Sequence, residues 1–365
     1  MKKFTLLICS IIALILVLYS CSNTEKFTLN TIDIDYVNKS DITLNGEELQ
    51  IKAKNIRNIF LKDSIFIVQV NDNEHLLEIY KYPSFSHITD ICRRGRARNE
   101  FINTPTNMTK QLYYDKGNLI FPLVDDDAHF KEVNITESIN RQSAVIQSSN
   151  ECLDFNDGQF IICNEGVKYI FNHYYAMYDE MDKKKTFSPK YEYVENGKTK
   201  IKINVFPSLC NTFLPMNAIG AYSGVMFKHP NRNLIIQPME YLNYILFFDL
   251  DNSNYFAIHQ IGTSTYEDKT VELSKNLCFT TTALTDDYFM VLYWSGDKNR
   301  TTTDKVTPEL LVFNWSGVFL GSAKLDKRVK YIVYDENSHR LIGLDGRDDS
   351  LYSFDLSAFI KSIGL

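Results

Sequence analysis

Residues 64–82 read SIFIVQV-NDN-EHLLEIYKY, and this stretch decides the fold class. Two apolar runs, rich in β-branched and aromatic residues, flank three residues that favour turns, which is the pattern of a β-hairpin. The same pattern recurs along the rest of the chain. The six expected hairpins span residues 64–82, 118–135, 159–171, 233–250, 288–315 and 340–356.

The spacing of these hairpins predicts the architecture. Successive hairpins begin about 50 residues apart, which is typical of a β-propeller blade made of four strands. We therefore expect an all-β fold, a six-bladed β-propeller over residues 27–365. One longer gap follows the third hairpin, so we expect an insertion there at about residues 174–205. A pair of β-sandwiches is the alternative architecture, and it accounts less well for so even a spacing.

The ends of the chain predict how the ring closes. The last blade supplies three strands, near residues 330–334, 340–344 and 351–355. Residues 27–36 alternate between apolar and polar and belong to no blade of their own. We expect this N-terminal strand to close the last blade as its fourth strand, which would protect an exposed sheet edge.

The first residues have the features of an export signal. Lys2 and Lys3 precede an apolar run over residues 4–18, which is short for a membrane span and typical of a secretory signal peptide. Residues 18–21 read LYSC and resemble the lipobox of bacterial lipoproteins. We expect residues 1–20 to be removed, Cys21 to carry lipid, and residues 21–26 to form a tether. An uncleaved signal anchor is the alternative.

This anchor predicts the location of the protein. Lipidation at Cys21 would make the bilayer a partner and place the chain in the cell envelope. Ser22, where an aspartate would suggest retention in the inner membrane, favours an outer-membrane lipoprotein; the membrane face stays open. The formal net charge of −6 argues against a nucleic-acid partner.

Cysteine usage does not indicate a disulfide framework. Two of the seven cysteines, Cys9 and Cys21, lie in the signal region, and the other five are widely spaced. Asp157-Gly158 predicts a type I′ turn that would bring Cys152 opposite Cys163, about 5.5 Å apart at Cα. That distance permits a disulfide, although adjacent thiols are the expectation we prefer.

One segment resembles a known family. Residues 90–101, DICRRGRARNEF, resemble the GRGPGEF stretch of Bacteroidetes six-bladed β-propeller lipoproteins, often called TolB-like or NHL-like. Residues 219–224, 310–317 and 329–356 resemble further landmarks of that family. The resemblance implies the propeller fold and the lipid anchor, and it implies no particular activity. Cys92 stands where the family has glycine, so a residue that disfavours positive φ must make any bend there.

The same segment contains the strongest cationic feature of the chain. Guanidinium groups could hold a carboxylate, a phosphate, a sulfated sugar or a partner protein. Alternatively, these side chains pair with local acids such as Glu100 and Asp90 in a solvated loop. The arginines concerned are Arg93, Arg94, Arg96 and Arg98.

A second candidate is aromatic. Tyr174, Tyr175 and Tyr178 fall in the expected insertion, where exposed rings could stack on sugars or anchor a protein. Packing of the insertion against a blade is the alternative for these tyrosines.

No catalytic motif stands out, and we expect no cofactor. The seven histidines are scattered, with no HxxxH or HxH spacing, so a metal site would need residues brought together by folding. We expect a non-enzymatic binding or scaffolding module for a peptide, protein or glycan. The alternative is a periplasmic hydrolase or lyase with a metal-dependent active site in the central channel of the propeller.

Overall fold

The computed structural model describes most of the chain beyond the signal region. The described residues are 29–37, 39–102, 111–125, 129–151, 158–163, 168–179, 184–195, 198–205, 209–210, 224–263, 276–297 and 306–365. The expected signal peptide and Cys21 therefore lie outside the described residues. No helix among these residues is long and apolar enough to cross a membrane.

The described strands are numbered in chain order and form six sheets. The N-terminal segment contains β1 (Asn30–Ile34), β2 (Thr43–Leu44) and β3 (Gly46–Leu49). Sheet 1 consists of β4 (Ile56–Lys62), β5 (Ile65–Val70), β6 (His75–Lys81) and β7 (Ser86–Arg93). Sheet 2 consists of β8 (Tyr113–Asp115), β9 (Asn118–Val124), β10 (His129–Asn134) and β11 (Ile146–Glu151), with helix α1 (Ile135–Arg141) after β10.

The remaining sheets follow in chain order. Sheet 3 consists of β12 (Gly158–Ile162), β13 (Lys168–Asp179), β14 (Lys184–Glu195), β15 (Lys198–Asn204) and β16 (Leu209–Cys210). Sheet 4 contains β17 (Phe227–Lys228), β18 (Leu234–Pro238), β19 (Tyr244–Asp249) and β20 (Asn254–Gln260). Sheet 5 contains β21 (Asn276–Leu284), β22 (Tyr288–Asp297), β23 (Glu309–Asn314) and β24 (Phe319–Leu325). Sheet 6 contains β25 (Tyr331–Asp335), β26 (Arg340–Leu344) and β27 (Leu351–Asp355), followed by helix α2 (Ser357–Ser362).

The six predicted hairpins are confirmed. Each is an antiparallel pair in the structure: β5–β6, β9–β10, β12–β13, β18–β19, β22–β23 and β26–β27. β5 and β18, the second strands of sheets 1 and 4, are apolar almost throughout, and nearly every residue in them is buried. Such strands are buried on both faces because a neighbouring sheet packs on each side.

Five hydrophobic cores lie between neighbouring sheets and arrange them around an axis. They join sheets 1 and 2, 3 and 4, 4 and 5, 5 and 6, and 6 and 1. Between sheets 2 and 3, the Gln111 side chain bonds both the backbone N–H and the carbonyl of Ile162, at 2.8 and 2.9 Å. The expectation of an all-β propeller is confirmed. The structure has five blades, not six, whose four successive strands come from one continuous stretch of chain. Sheet 6 instead combines β25, β26 and β27 with β3 from the N-terminal segment.

The expected role of the N-terminal strand is wrong. β1 does not close the last sheet but pairs in parallel with β20 at the outer edge of sheet 4. β2 then pairs in parallel with β24, and β3 pairs antiparallel with β27 as the fourth strand of sheet 6. The N-terminal segment thus runs along three successive sheets. The sequence of β3, GEEL, is too polar to indicate a strand, whereas the alternation in residues 30–34 does.

The described part of residues 174–205 lies in β13, β14 and β15, which are antiparallel neighbours within sheet 3. β13 and β14 have 12 residues each, and their length accounts for part of the long gap between hairpins. The expected insertion at about residues 174–205 stays a prediction.

The hairpin expected around Asp157-Gly158 is also wrong. β11 before it pairs with β10 in sheet 2, and β12 after it pairs with β13 in sheet 3. The chain therefore passes from one sheet to the next at this point, so no ladder between these two strands sets Cys152 opposite Cys163. Cys163 is buried, and Cys152 lies outside the described residues.

Candidate functional site

A cavity of about 1200 Å³ lies where the innermost strands of all six sheets converge. This volume exceeds the roughly 300–1,000 Å³ of ordinary ligand pockets, so a ligand of several units could enter. Its wall is formed by β4, β8, β17, β21 and β25 with their flanking residues, and by Ile162 and Cys163 at the end of β12.

The wall of this axial cavity carries both charged and uncharged polar groups. Its charged members are Lys62, Lys228, Lys330, Asp115, Glu132 and Glu240. Glu132 accepts hydrogen bonds from the Tyr113 and Ser148 hydroxyls, and Asp115 accepts one from the Gln147 side chain at 2.7 Å.

Among the uncharged groups, Asn58 and Thr282 line the cavity and are almost completely buried. The Asn58 side-chain oxygen accepts a hydrogen bond from the Ile59 backbone N–H at 3.0 Å. The Thr282 hydroxyl is buried with no hydrogen-bond partner among the described residues. A buried hydroxyl of this kind costs folding free energy unless it is paired.

Tyrosines add flat apolar surfaces to the same wall. Tyr113, Tyr114, Tyr331 and Tyr334 all line the cavity. The Tyr114 hydroxyl donates to Asp63 at 2.5 Å, which raises the pKa of Tyr114 to about 12 and fixes the ring. Rings held at the edge of a polar cavity suit stacking against sugars or aliphatic chains.

Lys228 is the buried cation of the cavity. Its side chain is nearly inaccessible to solvent, and its ammonium donates a hydrogen bond to the His229 carbonyl at 3.0 Å. Burial lowers the pKa of Lys228, and the attraction of Cys163 and Asp251 opposes this only in part. A buried charge with a lowered pKa costs folding free energy, and such residues concentrate at functional sites.

The four predicted arginines do not reach this cavity. Arg93, Arg96 and Arg98 are exposed, and Arg94 donates to the Asn71 side chain at 3.1 Å. None of the four belongs to the cavity wall. Arg93 ends β7, and the other three lie on the loop that follows it, which is closed by backbone hydrogen bonds between residues 93–95 and Phe101.

Glu100 and Asp90, the local acids of this loop, have hydrogen-bond partners other than the arginines. Glu100 folds back onto the Ala97 backbone N–H at 2.9 Å, and the nearest partner of Asp90 is His87. A Cβ at Gly95 would collide with the Glu100 carboxylate, so a side chain there would displace Glu100 from its place in the loop. The exposed arginines stay available for an anion, which remains a prediction.

A buried ion pair holds this loop against sheet 2. Lys131 lies 2.7 Å from the Asp125 carboxylate and donates to the Glu100 carbonyl at 2.8 Å. Asp125 also accepts from the Ile102 backbone N–H at 3.0 Å. These charges are almost completely buried, and their extra hydrogen bonds offset the cost of removing them from water. Cys92 beside them is fully buried with φ +62°, so the bend expected from the family glycine is confirmed there.

The remaining predicted sites stay predictions. Tyr174, Tyr175 and Tyr178 lie in β13 opposite Pro189, Ser188 and Lys185 of β14; their side chains are outside the described part of the chain. Cys21 lies outside it as well.

Metal-type ligands do not gather in the cavity within the described residues. The group of three that could hold an ion lies on β6 and β7, away from the cavity wall. The metal-dependent alternative therefore gains no support from the described residues.

Sequence reasoning missed the axial cavity for a physical reason. Its wall takes a few residues from the first strand of each sheet, and those residues are separated by some 50 positions along the chain. The wall could have been located from the position of each strand within its repeat, because the first strand of each four-strand repeat lies nearest the axis of a propeller.

Comparison with known proteins supports the fold. No protein-family model and no curated protein matches the chain. A solved structure from Bacteroides fragilis, of a protein described as exported, is similar with a TM-score of 0.52 and 10% identity over 89% of this chain and 98% of that one. The class of protein that fold and cavity define is thus a β-propeller with an axial cavity.

Weaker likenesses to other solved structures carry no argument. Raptor from Chaetomium thermophilum gives a TM-score of 0.48 and 8% identity, over 83% of this chain and 28% of that one. The Pan2 WD40 domain from Neurospora crassa gives 0.44 and 8%, over 82% and 89%.

Proposed function

We propose that this chain is an outer-membrane lipoprotein, anchored through Cys21, whose propeller acts as a non-enzymatic binding module. In this proposal sheet 6, completed by β3, is the sixth blade, and the protein is of the TolB-like or NHL-like type. Two features support the location: the export signal in residues 1–20, and the fold likeness to a Bacteroides fragilis protein described as exported.

The observation that carries the binding role is the axial cavity. It combines a volume for several ligand units, four tyrosines and a buried ammonium at Lys228. Tyrosine rings stack on sugar faces, and a buried cation favours a carboxylate. We therefore propose an acidic glycan as ligand. The alternative ligand is a peptide that bears carboxylates, and the binding test below distinguishes it from a glycan.

A cavity-filling variant tests this proposal. Thr281 lies on β21 at the cavity wall and is half-buried, so Thr281→Trp would place an indole in the space that the ligand needs. Thr307→Trp is the matched control, because Thr307 is exposed and lies outside the wall. Both variants and the wild type would be screened against uronic-acid oligosaccharides and acidic peptides.

The expected result is a ligand that binds the wild type and Thr307→Trp alike but is lost from Thr281→Trp. Binding that survives equally in both tryptophan variants would move the ligand site away from the cavity. Binding of peptides alone would replace the glycan by a peptide partner.

A further inference from the structure

Two histidines and three carboxylates meet on the outer hairpin of sheet 1. His75 begins β6, Glu78 lies three residues further along the same strand, and Asp90 is the direct cross-strand partner of Glu78 on β7. Asp72 and His87 flank this group. None of these residues lines the axial cavity, so the group is separate from the proposed ligand site.

The donor atoms lie at spacings that suit one small cation. His75 Nε2 is 3.3 Å from Glu78 Oε1 and 3.9 Å from Asp90 Oδ1, and the three ligand atoms all lie within 4.8 Å of one another. Zinc bonds of about 2.0–2.1 Å in a tetrahedron separate ligand atoms by about 3.4 Å. Small side-chain rotations would therefore bring all three atoms onto one ion.

Surrounding groups already orient these ligands. The Tyr80 hydroxyl donates to the second oxygen of Glu78, and His87 Nε2–H donates to Asp90 Oδ1 at 2.6 Å. Asp72 Oδ1 lies 4.0 Å from His75 Nδ1, the nitrogen that would not bind metal. A carboxylate behind the second nitrogen is the usual support of a metal-binding histidine.

The charge of the patch also favours a cation. Three carboxylates, those of Asp72, Glu78 and Asp90, stand on this patch around His75. Arg93, the cross-strand neighbour of His75, is the facing cation and offsets part of this negative charge. Imidazole with carboxylates suits zinc, whereas calcium and magnesium favour oxygen ligands alone.

We propose that His75, Glu78 and Asp90 form a zinc-binding site on the outer hairpin of sheet 1, with a fourth coordination position open. His87 and Tyr80 are positioning residues, since each acts through a ligand carboxylate. Sequence inspection misses this site because Glu78 and Asp90 become neighbours only through strand pairing.

Calorimetric titration of the purified full chain with Zn²⁺, after removal of metals by a chelator, tests the site. We expect one zinc per chain in the wild type. His75→Gln and Glu78→Gln should each weaken binding at least about 100-fold, and His87→Gln about 10-fold, as expected for a supporting residue. Glu48→Gln, on exposed β3, is the matched control and should bind zinc as the wild type does.

Two further measurements keep the test decisive. Thermal unfolding in chelator should be the same for all variants, which separates loss of ligands from loss of fold. Co²⁺ should give the visible absorption of a tetrahedral site in the wild type and not in His75→Gln. A wild type that binds no zinc, or variants His75→Gln and Glu78→Gln that bind like the wild type, would overturn the proposal.

Discussion

Replacing Tyr36 by alanine tests whether the N-terminal segment holds the propeller together. Tyr36 follows β1 and is fully buried in the core between sheets 4 and 5. Its ring packs edge-on against Phe313 at 5.5 Å between centroids, and its hydroxyl donates to the Asn243 carbonyl at 3.2 Å. Its backbone N–H donates to the Gln260 side chain at 2.8 Å.

The expected loss of unfolding free energy in Tyr36→Ala follows from these contacts. Truncating a fully buried aromatic side chain to alanine costs about 3–5 kcal/mol, and the lost hydroxyl hydrogen bond is worth about 1 kcal/mol. We expect Tyr36→Ala to lower the free energy of unfolding by about 4 kcal/mol. Tyr36→Phe, which removes only the hydroxyl, should cost about 1 kcal/mol.

Urea unfolding followed by fluorescence and circular dichroism measures both variants. Ile32→Ala is the control on the same segment, because Ile32 is 44% exposed and its loss should cost less than about 0.5 kcal/mol. If Tyr36→Ala unfolded at the same urea concentration as Ile32→Ala, the conclusion that this segment stabilises the packing of sheets 4 and 5 would be refuted.

Three further substitutions address the anchor and the loop after β7. Cys21→Ser should abolish labelling of the protein by radioactive palmitate and leave the fold intact; wild-type labelling of that variant would contradict lipidation. Cys92→Gly should be more stable to urea than Cys92→Ala by about 1 kcal/mol, because glycine relieves the left-handed backbone; the opposite order would contradict strain at this residue. Lys131→Met should lower the free energy of unfolding by about 3–5 kcal/mol, because it leaves Asp125 buried without this cation. Adding Asp125→Leu should restore part of that free energy. If Lys131→Met alone were as stable as the double variant, the coupling between the two residues would be disproved.

The parts of the fold that the sequence predicts are local ones. The hairpins are visible because a run of alternating or apolar residues and its turn lie within some 20 positions. The partners of β1 and β3 are not visible, because each strand pairs with one far along the chain, β20 and β27, and the pairing depends on which sheet edge each strand reaches. Asp157-Gly158 predicts a hairpin from residue types alone, and residue types do not tell which sheet the next strand joins.

The candidate sites follow the same division. The bend at Cys92 was predictable because a single position of a short motif requires it. The axial cavity and the His75, Glu78 and Asp90 group were not, since strand pairing and ring closure bring their residues together. The sequence shows that the arginine segment is strongly cationic. It does not show that the segment lies away from the cavity, because that depends on the tertiary fold.

The central claim is that the axial cavity binds the ligand and that the Lys228 ammonium contacts it. The most direct test is to measure how tightly Lys228→Met binds the ligand that the wild type binds. Removing the buried ammonium should relieve its burial cost and raise the urea midpoint, while deleting a charged hydrogen bond worth about 1.5–3 kcal/mol to the ligand. The account therefore predicts affinity lower by about 10–100-fold in a more stable protein. Lys324→Met, which changes an exposed side chain of β24 outside the cavity, should keep wild-type affinity. Undiminished affinity in Lys228→Met would contradict the cavity as the ligand site.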